Sequence, residues 1–129
     1  MKGVMVTVVD YEAGNLRSVV KALERVGARP VVTSDPAQVL KASALLLPGV
    51  GAGDAAMGAL HQRRLVGAIR EYVASGRPFL GVCLGLQLLM ESTQEGEAPC
   101  LGVLEGRVVR LPQGLKVPHM GWNQVHFRG

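Results

Sequence analysis

An α/β fold with a mostly parallel sheet is predicted by two patterns in this 129-residue chain. Short apolar, β-branched runs alternate with stretches of helical spacing through residues 3–91, and the alternation is strict. Strand–helix–strand order implies right-handed crossovers, which lay helices over both faces of one sheet. A hydrophobic content of 48% in a chain of this length supports one compact unit, residues 1–129, with a real core.

The run Gly3-Val4-Met5-Val6-Thr7-Val8-Val9, ending at Asp10, reads as a buried first strand. A helix follows: Asn15 can cap it, Leu16, Val19, Val20, Leu23 and Val26 recur at three- and four-residue spacing, and Gly27 sits where a helix stops. Residues 30–33 form the second strand. Asp35-Pro36 is a cap followed by a proline at the first helical position, which predicts a short helix over 37–41. Ala44-Leu45-Leu46-Leu47 is the third strand, and a glycine-rich loop occupies 48–53. Helical spacing from Asp54 to Ser75, broken near Arg63, ends at Gly76; residues 79–82 are the fourth strand and 86–91 are helical. Beyond Glu95 the pattern shifts to strand-like pieces at 106–111 and 122–127, joined by proline and glycine turns.

Composition narrows the classes of function. The formal charge of +4 is spread along the chain, with only Arg63-Arg64 adjacent among 14 basic residues, which argues against nucleic acid. No apolar run reaches the roughly 18 residues a membrane span needs, and Met1-Lys2-Gly3 leads directly into the first strand, so a cytoplasmic protein without membrane contact is expected. Two cysteines are too few for a disulfide framework and suit a reducing compartment. No metal-ligand cluster and no cofactor are expected.

One cysteine stands where chemistry is expected. In Gly81-Val82-Cys83-Leu84-Gly85-Leu86-Gln87 a strand turns sharply into a helix with glycines two residues either side of Cys83. Such an elbow holds a nucleophile in strained backbone geometry, and helix N-terminal amides favour its thiolate. It also lies at the carboxyl end of a parallel strand, where open α/β sheets bind ligands. The bland alternative is a small buried cysteine closing a core strand. Acyl transfer needs donors for an oxyanion, and Pro48-Gly49-Val50-Gly51, at the neighbouring strand end, is a candidate source beside the amide of Leu84. A rival reading, nucleotide binding through Gly51-x-Gly53-x-x-Ala56, lacks the acid expected at the end of the next strand, which ends at Cys83. Cys100 has no such elbow and reads as structural.

These residues resemble a known family. The elbow resembles the nucleophile signature of class I glutamine amidotransferases, and residues 48–51 resemble their oxyanion loop. Gly14-Asn15-Leu16-Arg17-Ser18-Val19 and Pro118-His119-Met120-Gly121-Trp122-Asn123 resemble signatures of one branch, the glutaminase subunit of imidazole glycerol phosphate synthase.

The resemblance implies a flavodoxin-like three-layer α/β/α sandwich whose C-terminal part is absent from this chain. It implies hydrolysis of glutamine to glutamate and ammonia, with ammonia passed to a (β/α)8-barrel cyclase in a heterodimer that serves histidine biosynthesis. By position, Cys83 would be the nucleophile. Leu84 and a residue among Gly49, Val50 and Gly51 would stabilise the oxyanion, and Gln87 would touch substrate. Asn15, Met120 and Trp122 would face the cyclase, as would His119.

The same resemblance expects a His-x-Glu pair to complete the triad. None occurs: His61 is followed by Gln62-Arg63 and His126 by Phe127-Arg128. The pair is expected beyond Gly129, the chain is read as C-terminally truncated, and 129 residues alone are expected to turn over glutamine negligibly. Two alternatives stay open: an amidotransferase or cysteine hydrolase of another branch, and a noncatalytic module.

Overall fold

The computed structural model describes residues 3–13 and 15–129. The first strand, β1, spans Met5–Val9 rather than beginning at Gly3, although the Arg29 amide already donates to the Val4 carbonyl at 2.8 Å. Helix α1 runs Leu16–Arg25 with the Asn15 side chain accepting from the Ser18 amide at 3.3 Å. Its end is a Schellman closure: the Ala28 amide donates to Leu23 and the Gly27 amide to Glu24, with Gly27 at φ +85°.

Strand β2 (Arg29–Thr33) leads to α2 (Pro36–Lys41), where Asp35 accepts from the Ala37 amide at 2.9 Å and proline opens the first turn. Strand β3 is Leu45–Leu47. The long helical stretch divides, as expected, into α3 (Gly53–Gln62) and α4 (Leu65–Ala74), because Arg64 takes a left-handed conformation at φ 58°.

Strand β4 (Phe79–Gly81) completes a four-stranded parallel sheet in the order β2-β1-β3-β4. Alternate strand residues therefore look to opposite faces. Val9, Leu45 and Leu47 pack with Met57, Leu60, Leu65, Ile69 and Tyr72 in one closed core under α2, α3 and α4. The other face is covered thinly. Val6, Leu46 and Leu80 meet Leu23 of α1 around a shallow apolar hollow, and Leu80 keeps 57% of its surface exposed.

Two expectations need correction. The last helix, α5, is one turn at Leu84–Gln87 rather than 86–91, since the Leu89 and Met90 amides reach back only three residues and the chain then turns toward Ser92. Of the two late strand-like pieces, only Arg107–Val108 forms a strand, β6, paired in parallel with β5 (Ser92–Thr93). Residues 122–127 form none: their alternation is that of a strand, but no described strand lies beside them, and Trp122 and Phe127 are 103% and 94% exposed.

Leu60 is fully buried between α3, α4 and the sheet. Leu60→Ala is expected to lower unfolding stability by about 2–5 kcal/mol, read from urea denaturation, through lost transfer energy and an unfilled cavity.

Candidate active site

The elbow is built by strand register. Leu45, Leu46 and Leu47 pair with Phe79, Leu80 and Gly81, and two further bonds continue this ladder past the strand ends. The Val82 amide donates to the Leu47 carbonyl at 3.0 Å, and the Leu84 amide to the Gly49 carbonyl at 3.2 Å. Gly49 is thereby held beside the Cys83–Leu84 turn.

Cys83 sits at φ 56°, ψ −119°, a conformation costly for any side-chain-bearing residue, of order 1–3 kcal/mol. Its carbonyl accepts from the Leu86 and Gln87 amides at 3.0 and 3.2 Å, which starts α5 directly after the sulfur-bearing residue. The thiol side chain is exposed. Because α5 is a single turn, any electrostatic help to a thiolate comes from its first amides rather than from an extended dipole.

The flanking glycines are required by contact. A Cβ on Gly85 would run into the Leu47 carbonyl oxygen, and one on Gly81 would lie 2.9–3.0 Å from backbone atoms of Gly85 and Leu86. On Gly49 a Cβ would strike the Tyr11 hydroxyl oxygen and lie 3.0 Å from the Leu84 Cβ. The three elements that meet at the elbow thus approach without side chains between them.

Beside α5 opens a cavity of about 570 Å³, within the range of small-molecule sites. Gln87, Glu95, Val108, Arg110 and His119 are among its lining residues. Gln87, four residues after Cys83, closes α5 and lines this cavity. The Glu95 loop is anchored from α3: the Asp54 carboxylate accepts the Glu97 and Ala98 amides at 3.0 and 2.9 Å, which holds its pKa below the usual carboxylate value.

Tyr11, Asp54 and Glu95 are not singled out by the sequence. Tyr11 carried a usable signal, since it lies just past the carboxyl end of β1. Asp54 and Glu95 carried none, because the bonds from the Glu97 and Ala98 amides to Asp54 that anchor the Glu95 loop span more than forty residues.

Other expected residues fall elsewhere. Asn15 is spent on capping α1, Gly14 lies outside the described residues, and Met120 and Trp122 are exposed in the final segment, 84% and 103% respectively. His61 and His126 are exposed; His119 lines the same cavity as Gln87 and Glu95. Cys100 is buried, and burial pushes its thiol pKa up, with the Asp54 charge adding to the shift. Among the described residues no group of acidic, histidine and cysteine side chains suits a metal ion, and no helix is long and apolar enough to cross a membrane.

A parallel sheet in this order with a strained cysteine at the end of β4 defines a flavodoxin-like fold carrying a nucleophile elbow. The chain belongs to the class I glutamine amidotransferases: residues 7–128 match the family described as Glutamine amidotransferase class-I. More particularly, it is 53% identical over 125 residues to imidazole glycerol phosphate synthase subunit HisH of Synechococcus elongatus, covering 95% of this chain and 58% of that protein. Its identity to subunit HisH of Thermosynechococcus vestitus is 50% over 130 residues, covering 99% and 62%. The chain thus spans about three-fifths of the length of these relatives. A crystal structure of a glutamine amidotransferase superposes with a TM-score of 0.71 at 26% identity, covering 86% of this chain and 59% of that one.

Two outcomes follow from this geometry. Gly85→Ala forces β3 and α5 apart and is expected to cost about 1–3 kcal/mol in urea denaturation, as overpacking against fixed backbone does. Asp54 has a depressed folded pKa, so its contribution is present above the unfolded value and is lost as pH falls through the folded one. The difference in melting temperature between the native chain and Asp54→Ala should hold steady at neutral pH and close as the carboxylate is protonated in acid.

Proposed function

We propose that this chain is the glutamine-hydrolysing part of an imidazole glycerol phosphate synthase, in the cytoplasm, with Cys83 as its nucleophile. The observation that carries the reading is the continuation of the β3–β4 ladder, which sets Gly49 against the Cys83–Leu84 turn.

The Cys83 thiolate attacks the side-chain amide carbon of glutamine, and the carbonyl oxygen takes up the negative charge. Backbone amides of Leu84 and of residues 49–51 supply donors to that oxygen. The Leu84 amide is engaged by the Gly49 carbonyl at 3.2 Å, so an oxyanion must take it over from that partner. Collapse breaks the C–N bond, ammonia leaves with an added proton, and a glutamyl thioester remains; water then releases glutamate and regenerates the thiol. Gln87 and Glu95 line the cavity at the end of α5 and offer an amide and a carboxylate to the amino-acid end of the substrate.

Protonation of the leaving nitrogen calls for a histidine held by a carboxylate, and the sequence of residues 1–129 contains no His-x-Glu pair to provide it. Ammonia would pass to a (β/α)8-barrel cyclase, with glutamine the small-molecule substrate and the heterodimer the working unit. The exposed Met120 and Trp122 suit a contact with that partner, as tryptophan is enriched where interfaces concentrate binding energy. Membrane and nucleic acid have no part in this reading.

A chloroketone analogue of glutamine tests it. Mass mapping should find Cys83 alkylated saturably, with protection by glutamine and Cys100 untouched. Equal labelling of both cysteines, or labelling of Cys83 that ignores glutamine, would count against the reading.

A further inference from the structure

Tyr11 is buried to 1% relative exposure at the carboxyl end of β1, 37 residues before the loop its hydroxyl reaches. That hydroxyl donates to the carbonyl of Pro48. Proline has no N–H of its own, so this carbonyl is its whole backbone polar group, and in a buried position it needs a donor. On its other side the phenol oxygen fills the space that a side chain on Gly49 would take. The Gly49 carbonyl in turn receives the Leu84 amide at 3.2 Å. One hydroxyl therefore fixes the entry to residues 49–51, and those residues fix their distance to the nucleophile turn.

Burial raises the Tyr11 pKa far above the ordinary phenol value, and the charge of nearby Cys83 raises it further. The phenol is thus a neutral donor at any pH where the cysteine works. A tyrosine kept for packing alone would be satisfied by any acceptor; this one is bonded to the first residue of the candidate oxyanion loop and lies within the field of the nucleophile.

We propose that Tyr11 is a positioning residue of the glutaminase site, its hydroxyl pinning Pro48 so that residues 49–51 stay in place beside the Cys83–Leu84 turn. The proposal rests on the glutaminase reading above. Its role runs through the loop, by way of the hydrogen bond to the Pro48 carbonyl.

The test compares Tyr11→Phe with the native 129-residue chain, using two reagents. With the chloroketone glutamine analogue, the Cys83 sulfur forms a thioether and chloride leaves with its electron pair, while the ketone oxygen gathers negative charge in the site. With iodoacetamide the same sulfur displaces iodide and no such oxygen is held. Tyr11→Phe is expected to lower the maximal rate of inactivation by the chloroketone about ten-fold, less than the 10²–10³ seen when an oxyanion donor is deleted outright. The half-saturating concentration and the iodoacetamide rate should each stay within about two-fold, since the substrate space and the thiol are untouched. Equal slowing with both reagents, or no slowing with either, overturns the proposal.

Should Tyr11→Phe fail to fold, Gly49→Ala presses a methyl group against the same phenol oxygen. Unchanged chloroketone labelling in that variant overturns the proposal, and selective slowing supports it. A native chain that never saturates with the chloroketone overturns the glutaminase reading together with this one, whereas a saturating native chain with unslowed Tyr11→Phe overturns this one alone.

Discussion

The site depends on the parallel register between β3 and β4. With Leu47 opposite Gly81, the ladder has nowhere to go but into the two loops, and it carries on through Val82 to Leu47 and Leu84 to Gly49. A slip of one residue would move the whole hydrophobic set of β4 to the opposite face and place Cys83 against a different peptide. The core enforces the register, because Leu45 and Leu47 are closed in beneath α3 and α4 while their neighbours face the thinner layer of α1. Packing thus decides which peptide groups stand beside the sulfur.

Strain is concentrated at one residue and is held by its surroundings. Cys83 keeps a positive φ because its carbonyl closes the first turn of α5, the Val82 amide is tied to Leu47 of β3 and the Leu84 amide to Gly49 in the loop beyond it. The glycines at 81 and 85 let those elements approach to backbone contact. Such an arrangement leaves the thiol exposed at a nucleophile elbow with backbone amides close by. A cavity lined by Gln87 and Glu95 opens at the end of α5.

What could be read in the sequence was what depends on near neighbours in the chain. Asn15 and Asp35 cap helices within three residues of themselves, and both caps form. The elbow is a five-residue pattern whose geometry is local, and Cys83 has the strained backbone expected of it. Helix α5 begins at Leu84 rather than Leu86, and the close approach of the Leu47 carbonyl, which only the fold reveals, is what demands glycine at 85. Residues 122–127 have a strand's alternation, but a strand exists only against a partner. The links from Tyr11 to Pro48 and from Asp54 to Glu97 and Ala98 join distant segments through single polar atoms, and no periodicity or motif announces them.

The claim that amides of Leu84 and of the loop at 49–51 face a carboxamide oxygen is tested most directly by a crystal structure of the chain alkylated at Cys83 with the glutamine chloroketone. The ketone oxygen should lie about 2.7–3.1 Å from the Leu84 amide nitrogen and from one amide nitrogen of residues 49–51. An oxygen turned to solvent, with the Leu84 amide still bonded to the Gly49 carbonyl, would contradict the account.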